Sequence, residues 1–158
     1  MSNSLKSRRA MMSMATALTV VVQSSFAGTP QEDARSLFER FVAAQNAHDG
    51  DAVQGMLWNS PEFLWVSRGT QVRGVTAAMA LYRSYYKATW HLEPDLAQLR
   101  TTVITRDVVQ ILVPVTFTRG MPDQPSQDAT YLISQTLIRD GTGWHIATIL
   151  PIANTQLK

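Results

Sequence analysis

The 158-residue chain contains no cysteine, and this absence removes several classes of protein at once. Disulfide-stabilised scaffolds, thiolate metal sites and cysteine nucleophiles all require the missing thiol. The chain also lacks the run of roughly 18 to 20 apolar residues that a membrane-spanning helix requires. We therefore expect one domain of ordinary size, stabilised by a hydrophobic core and without a membrane span.

An excess of basic residues, which nucleic-acid-binding proteins usually show, is also lacking. The formal net charge of +2 comes from 14 basic and 12 acidic residues, but Lys6, Arg8 and Arg9 lie in a segment that we expect to be removed. Taking three from 14 leaves 11 basic residues against 12 acidic ones, a net charge near −1. This balance argues against nucleic acid as a partner.

Residues 1–27 have the three-part composition of an export signal peptide. A basic region ends at Arg9, an apolar region covers 10–22, and Ser25-Phe26-Ala27 fits a cleavage site. We expect cleavage near Ala27 and a periplasmic or secreted protein whose single domain spans 28–158. The paired arginines are compatible with both twin-arginine and general secretory export, and the sequence does not separate the two routes.

The stretch 34–57 predicts two helices joined by a tight turn. Its apolar residues recur every three or four positions, which is typical of the buried face of an amphipathic helix. Thr29 and Glu32 have the spacing of an N-terminal capping box, and Pro30 stands at the first helical position. The sequence therefore predicts a well-defined start for the first helix.

The ends of the helices are predicted from turn and cap residues. We expect Gly50 to end the first helix in a left-handed conformation and Asp51 to cap a second helix over 52–57. Thr76 is the predicted cap of a third helix over 76–88.

The rest of the chain alternates apolar and polar residues, as half-buried strands do. The predicted strands cover 62–67, 71–73, 90–104, 108–118, 130–139 and 144–152. Pro94 predicts a bend or an edge position, and Asp140-Gly141-Thr142-Gly143 predicts a hairpin turn. Three helices in the N-terminal half predict an α+β fold, in which they pack over the concave face of a strongly bent antiparallel sheet that forms a conical barrel.

Over 35–154 the sequence resembles the nuclear-transport-factor-2-like (NTF2-like) superfamily, and within it the SnoaL-like, ketosteroid-isomerase-like exported proteins. The resemblance rests on F-V-A-A-Q-N-A-H-D-G-D-A-V-Q-G-M-L at 41–57, on Arg73-Gly74, and on D-G-T-G-W-H-I at 140–146. It implies a conical barrel with a pocket at its wide end and usually a homodimer. It implies no particular activity, because unrelated functions share this scaffold.

The resemblance also shows which catalytic groups are replaced. The isomerases of this superfamily hold the reacting oxygen with a tyrosine and an acidic residue, while an aspartate shuttles the proton. The resemblance places Phe41 at the tyrosine, Trp65 at the shuttling aspartate and Gln135 at the oxyanion-hole acid. Phe41 has no hydroxyl and Trp65 accepts no proton, so steroid isomerisation by that mechanism is not expected.

The same residues are the candidates for a ligand pocket. If Gln135 faces the barrel interior, strand alternation and the resemblance place these side chains there too: Phe41, Trp65, Tyr131, Ile133 and Leu137. We predict that Phe41, Trp65, Tyr131 and Gln135 bind a small apolar or aromatic ligand. The alternative is that large aromatic side chains fill the cone. Gln135 favours the pocket, since a buried amide without a partner costs roughly 1 to 3 kcal/mol.

Other polar residues are weaker candidates for chemistry. His91, Glu93 and Asp95 alternate along one strand, a spacing suited to metal ligands or to an acid–base pair, although charges that protect an exposed edge are the more common explanation. His91 and Asp95 are the candidate catalytic residues. No cofactor and no metal are predicted.

Several remaining residues have structural interpretations. His48 is interpreted as compensating the dipole of the first helix, and Asp49 and Asp51 as turn and cap residues. His145 is a candidate for a dimer interface. Among the aromatic residues Tyr82, Tyr85, Tyr86 and Trp90, we expect Tyr85 or Tyr86 to line the pocket mouth or the surface, because three successive helical faces cannot all be buried.

Three functions remain open from the sequence. The first is an exported small-molecule-binding protein that is not an isomerase. The second is a lyase, cyclase or isomerase that uses another acid–base residue, and the third is a dimeric association module. A cavity above about 300 Å³ with an ionisable wall favours the enzyme, the same cavity with only Gln135 polar favours binding, and a filled cone favours association.

Overall fold

The computed structural model describes residues 28–121 and 124–153, so the predicted signal segment 1–27 lies outside the described residues. The helices are α1 (Pro30–Asn46), α2 (Gly50–Met56) and α3 (Val75–Tyr85). The strands are β1 (Leu64–Ser67), β2 (Thr70–Arg73), β3 (Thr89–Pro94), β4 (Arg100–Thr105), β5 (Val108–Gly120), β6 (Gln127–Asp140) and β7 (Gly143–Ala153). Within the described ranges, no helix combines the length and the apolar character needed to cross a membrane.

Helix α1 begins as its sequence predicts. The Thr29 hydroxyl accepts a hydrogen bond from the Glu32 backbone N–H at 3.3 Å, and the Glu32 carboxylate accepts one from the Thr29 N–H at 2.8 Å. This reciprocal pair confirms the capping box. The hydrogen bonds that the Thr29 N–H and the Thr29 hydroxyl donate to the Glu32 carboxylate lower the pKa of Glu32. The apolar face of α1, which includes Leu37, Phe38 and Phe41, is buried against the sheet.

The other predicted helix ends differ from the observed ends by one to three residues. His48, with a φ of 55°, takes the left-handed conformation after α1, and Gly50 already belongs to α2. Asp49 therefore caps α2, and its carboxylate accepts from the Ala52 N–H at 2.9 Å. Helix α3 starts directly after Gly74, whose φ of 75° turns the chain out of β2 without any side-chain cap.

The sheet is strongly curved, open and mixed, with the strand order β2-β1-β7-β6-β5-β3 and with β4 paired to β5. The α+β prediction is confirmed, but one pairing differs from the predicted all-antiparallel sheet, because β1 runs parallel to β7. The reason lies just before β1. Leu57 already bridges Ile146 in the parallel sense, and the Trp58 N–H donates to the Ile146 carbonyl at 2.9 Å.

The predicted single extended segment 90–104 is split into β3 and β4. Asp95 follows Pro94 and makes a turn, in which its carboxylate accepts from the Ala97 N–H at 3.1 Å and the Gln98 side chain at 2.6 Å. Strand β3 then pairs with the C-terminal part of β5, and β4 pairs with the N-terminal part. The long strand β5 therefore holds two short edge strands.

The inner face of the sheet is apolar along almost the whole length of β5. Val109, Ile111, Val113 and Val115 alternate inward and are at most 1% exposed. The next inward positions are Phe117 and then Arg119, which lies opposite Trp90 of β3. The apolar row thus ends in an arginine at the wide end of the cone.

Candidate functional site

The inner part of the cone is filled by side chains. Phe41, Trp65 and Gln135 face this space and are 1%, 4% and 2% exposed. The cavity that they line has a volume of about 30 Å³, which is room for about one water and not for an organic ligand. We call this space the inner chamber.

The polar groups of the inner chamber do not form an acid–base site. The Gln135 amide oxygen is buried and has no hydrogen-bond partner among the described residues. Tyr82 packs its ring on Trp65 at a centroid distance of 4.3 Å, and burial raises the pKa of its hydroxyl well above the usual 10.0. Among the described residues, no Asp, Glu or His lines the inner chamber.

A larger cavity opens at the wide end of the cone. Its volume is about 290 Å³, and we call it the mouth cleft. Its walls are formed by Val66, Ser67, Arg68, Gly69, Tyr85, Trp90, Phe117, Arg119, Tyr131, Pro151 and Ala153. Tyr131 lies here, whereas Phe41, Trp65 and Gln135 line the inner chamber, so the structure does not bring the four predicted ligand-binding residues around one cavity.

Aromatic rings form the walls and floor of the mouth cleft. Tyr85 stacks on Trp90 at 4.8 Å between ring centroids, Trp90 meets Phe117 edge to face at 5.6 Å, and Phe117 meets Tyr131 in the same way at 5.7 Å. Trp90 and Phe117 also line the inner chamber, so this pair separates the two spaces. Tyr85 fulfils the expectation that one tyrosine of α3 lies at the mouth.

The C-terminal end of α1 fixes the position of Trp90. The Gln45 side-chain oxygen accepts from the Trp90 indole N–H at 3.3 Å, and a His48 ring nitrogen lies 3.0 Å from the Trp90 carbonyl oxygen. Asn46 pairs with both the N–H and the carbonyl of Leu92, at 2.8 and 2.9 Å. This run of polar residues therefore attaches the edge strand β3 to α1, which gives His48 a structural role.

Two arginines complete the mouth cleft. The Arg119 guanidinium donates to the Tyr131 hydroxyl at 2.8 Å and lies 5.3 Å from the centre of the Tyr131 ring. The Arg68 guanidinium lies 5.5 Å from the centre of the Tyr85 ring. Within 28–121 and 124–153, neither guanidinium forms an ion pair with a carboxylate. Among the described residues, both guanidinium groups therefore line the cleft without a carboxylate partner.

Neither Arg68 nor Arg119 was among the site residues predicted from the sequence. Arg119 had a usable signal, because the alternation of β5 continues from Phe117 to it, but the predicted strand stopped at Thr118. Arg68 was correctly placed in the β1–β2 turn, yet turn chemistry does not encode the direction of its side chain.

The mouth cleft continues outward into a wider, open groove of about 830 Å³ along the end of α3 and the loop after β5. Lys87 and Asp128 are the ionisable residues that this groove adds to Arg68 and Arg119. The Asp128 carboxylate accepts from the Thr118 hydroxyl at 2.7 Å. Among the described residues, the outer rim thus carries the acid Asp128 beside the cations Lys87, Arg68 and Arg119.

The candidate catalytic residues lie elsewhere. His91, Glu93 and Asp95 are exposed on or beside the edge strand β3, and none of them lines the inner chamber, the mouth cleft or the outer groove. Among the described residues, no three His, Asp or Glu side chains are grouped as metal ligands. His145 lies in the β6–β7 hairpin, where its Nε2 is 2.8 Å from the Thr142 hydroxyl.

Comparisons with known proteins find the fold and not a sequence family. No family model matches the chain, and no curated protein matches it significantly. An NTF2-like superfamily protein from Salmonella enterica serovar Typhimurium is similar at 17% identity over 81% of this chain and 93% of its own, with a TM-score of 0.71. An NTF2-like protein of unknown function from Shewanella oneidensis is 16% identical over 78% of this chain and 98% of its own, with a TM-score of 0.66.

A third solved structure is an NTF2-like protein from Streptomyces avermitilis, provisionally named a dehydratase. It is 13% identical over 79% of this chain and 97% of its own, with a TM-score of 0.68. Identities this low carry information about the backbone and not about activity. The helices over an open, curved sheet and these likenesses agree, and the chain therefore has the NTF2-like fold.

Proposed function

We propose that this chain is an exported small-molecule-binding protein of the SnoaL-like type that holds a flat, largely apolar ligand in the mouth cleft. The observation that carries the proposal is the contrast in volume between the two spaces, about 290 Å³ at the mouth against about 30 Å³ inside. Ligand sites are concave, mostly apolar and rarely much smaller than about 300 Å³. The mouth cleft meets this description and the inner chamber does not.

The chemistry of the walls supports binding rather than steroid isomerisation. The cleft offers aromatic faces, which suit planar ligands. Phe41, Trp65 and Gln135 stand at the positions that the resemblance assigns to the catalytic groups. Burial raises the pKa of Tyr82 above its usual 10.0, which makes its hydroxyl a still weaker acid. Export is supported by the composition of 1–27 alone.

The proposal is tested by filling the mouth cleft. Ala153 lines the cleft and is exposed, so Ala153→Trp is expected to occupy the space without removing a core contact. Ala97→Trp, in the exposed turn after β3, is the matched control. Native mass spectrometry of the protein purified from the periplasm is expected to show a co-purifying small molecule for the wild type and the control, and none for Ala153→Trp.

Two results would contradict this proposal. If the ligand persisted in Ala153→Trp, the binding site would lie outside the mouth cleft. If the wild type carried no ligand and bound nothing from panels of lipids, steroids and aromatic compounds, the chain would not be a small-molecule binder.

An enzymatic role is the second candidate, supported by the structural likeness to the protein provisionally named a dehydratase. A lyase, cyclase or isomerase needs an acid–base group within reach of the ligand. Asp128 and Lys87 at the outer rim are better placed for this than His91 or Asp95. Turnover of a bound ligand that disappears in Asp128→Asn, while affinity is kept, would favour the enzyme.

We also propose a homodimer that forms through the outer face of the sheet. Leu112, Pro114, Leu132, Leu150 and Ile152 alternate outward on β5, β6 and β7, and Ile152 is 42% exposed. An apolar stripe on the solvent side of a sheet is typical of a surface that another chain covers. Light scattering is expected to give a dimer for the wild type and a monomer for Ile152→Glu, since Ile152 is exposed in the single chain, and a wild-type monomer would overturn the proposal.

A further inference from the structure

We propose that the mouth cleft selects aromatic anions, with aryl carboxylates as the ligand class. This inference rests on the proposed binding function and specifies the ligand of the same site. The structure presents two guanidinium groups in a cleft whose walls also include the rings of Tyr85, Trp90, Phe117 and Tyr131. A flat ring system that bears a carboxylate is the ligand that uses both features.

The two arginines come from different elements and reach the same cleft. Arg68 belongs to the turn between β1 and β2, and Arg119 is the last inward residue before the end of β5. A guanidinium is always charged and presents donors in a planar fork that fits a carboxylate in a bidentate way. Two guanidinium groups that line one small cavity are therefore suited to bind a carboxylate.

The local charge of the cleft opposes that of the whole domain. Residues 28–158 have a net charge near −1, whereas the charged side chains that line the mouth cleft within 28–121 and 124–153 are both arginines. Lys87 adds a further cation in the outer groove, and Asp128 is the acid that faces it among the described residues. A cationic cleft on a slightly acidic domain attracts anions and rejects cationic ligands of the same shape.

The aromatic walls explain why the ligand would be flat. Arg119 lies 5.8 Å from the centre of the Phe117 ring as well as 5.3 Å from that of Tyr131, so its plane is held against aromatic faces. Its bond to the Tyr131 hydroxyl uses one donor of the five that a guanidinium carries. A flat ligand ring would pack against these aromatic walls while its carboxylate takes the remaining donors.

The backbone at Arg68 gives independent support. Its φ of 50° is unusual for a residue that is neither glycine nor asparagine, and Gly69 follows with a φ of 80°. Such a two-residue turn normally begins with asparagine, aspartate or glycine. Unfavourable backbone conformations tend to persist where the side chain has a function, and here the side chain lines the cleft.

The test compares matched probes that differ only in charge. The probes are 2-naphthoate, the uncharged 2-naphthamide and the cationic 2-naphthylmethylammonium, measured by isothermal titration calorimetry at neutral pH. We expect 2-naphthoate to bind at least about tenfold more tightly than 2-naphthamide, which corresponds to one charge-assisted hydrogen bond. Added salt is expected to weaken the 2-naphthoate affinity and to leave 2-naphthamide unchanged.

Substitutions of Arg119 test whether this residue causes the selectivity for 2-naphthoate over 2-naphthamide. Arg119→Gln is expected to reduce the 2-naphthoate affinity about tenfold and to leave 2-naphthamide nearly unchanged, and Arg119→Lys is expected to lose less. Arg100→Gln on β4 removes the same charge from an exposed position outside the cleft and serves as the control. Thermal unfolding of each variant verifies that the fold is intact.

Each outcome decides between the two proposals. Equal affinity for 2-naphthoate and 2-naphthamide would overturn anion selection and leave the binding function standing. Tighter binding of the ammonium probe would also overturn anion selection. If none of the probes bound, both the selectivity and the proposed binding of flat aromatic ligands at the mouth would be wrong.

Discussion

The inner chamber and the mouth cleft share a wall but are built from different chemistry. Around the inner chamber, rings pack on rings and the largest side chains are nearly inaccessible, leaving about 30 Å³. Around the mouth cleft, aromatic rings also pack on one another, but two arginines join them and about 290 Å³ stays open. Trp90 and Phe117 belong to both spaces.

The comparison shows how one scaffold separates stability from recognition. At the positions where the resemblance implies polar catalytic groups, this chain has Phe41 and Trp65, which fill the interior and add to the core. Under the proposed function, recognition takes place further out, at the mouth cleft. Substitutions in the two regions should therefore differ in their effects on stability and on ligand affinity, and the following predictions test that difference.

The largest effect is expected for Trp65→Ala in the inner chamber. The substitution removes a buried ring that stacks on Tyr82, and large-to-small changes of this kind cost about 3–5 kcal/mol. Tyr131→Ala at the mouth, where the ring is only half-buried, is expected to cost roughly 1–2 kcal/mol while weakening ligand binding. Urea unfolding at neutral pH measures both, and equal losses would contradict the division between the two regions.

A moderate effect of opposite sign is expected for Gln135→Leu. The buried amide oxygen has no partner among the described residues, so its removal is expected to raise the free energy of unfolding by about 1 kcal/mol. The affinity for 2-naphthoate should stay unchanged, because Gln135 lines the inner chamber and not the mouth cleft. A loss of affinity would instead support the prediction from the sequence that Gln135 binds the ligand.

A smaller gain in stability is expected for Arg68→Asn. Asparagine tolerates the left-handed backbone of this turn, so relief of the strain should stabilise the fold by about 0.5–1 kcal/mol. The same variant should bind 2-naphthoate more weakly, since one guanidinium is lost. Arg68→Ala, which loses the charge and keeps the strain, is the control and should weaken binding without the gain.

The smallest effect is expected for Tyr82→Phe and appears only at high pH. Burial raises the pKa of Tyr82 above its usual 10.0, so the folded chain keeps the phenolic proton while the unfolded chain loses it. This contribution to stability is complete below pH 10.0 and decreases as the pH rises above it. Tyr82→Phe should therefore lose less stability than the wild type between neutral and alkaline pH, as followed by circular dichroism during thermal unfolding.

The sequence predicts the architecture better than the site. Amphipathic spacing, the Thr29–Glu32 capping box and the alternation of β5 act locally, so the three helices and the major strands could be predicted from neighbouring residues. The parallel pairing of β1 with β7 could not, because it depends on how the chain after α2 crosses the sheet.

The arrangement of the candidate site depends on contacts between residues that lie far apart in the sequence. Whether Trp65 leaves an open chamber or fills it is decided by its stacking on Tyr82, a contact between two elements that no local pattern encodes. In the same way, the meeting of Arg68 and Arg119 across the cleft depends on the curvature of the whole sheet. Residue types indicated an aromatic interior, and only the packing determines where space remains.

The position of Trp90 makes its intrinsic absorption and fluorescence sensitive to what occupies the mouth cleft. Its indole is stacked on Tyr85, is hydrogen-bonded to Gln45, and lines both the inner chamber and the mouth cleft. Closely stacked chromophores couple their electronic transitions, so a guest that parts or extends this stack changes the near-ultraviolet spectrum. Occupancy can thus be read from intrinsic absorption and emission, without a label and before the guest is identified.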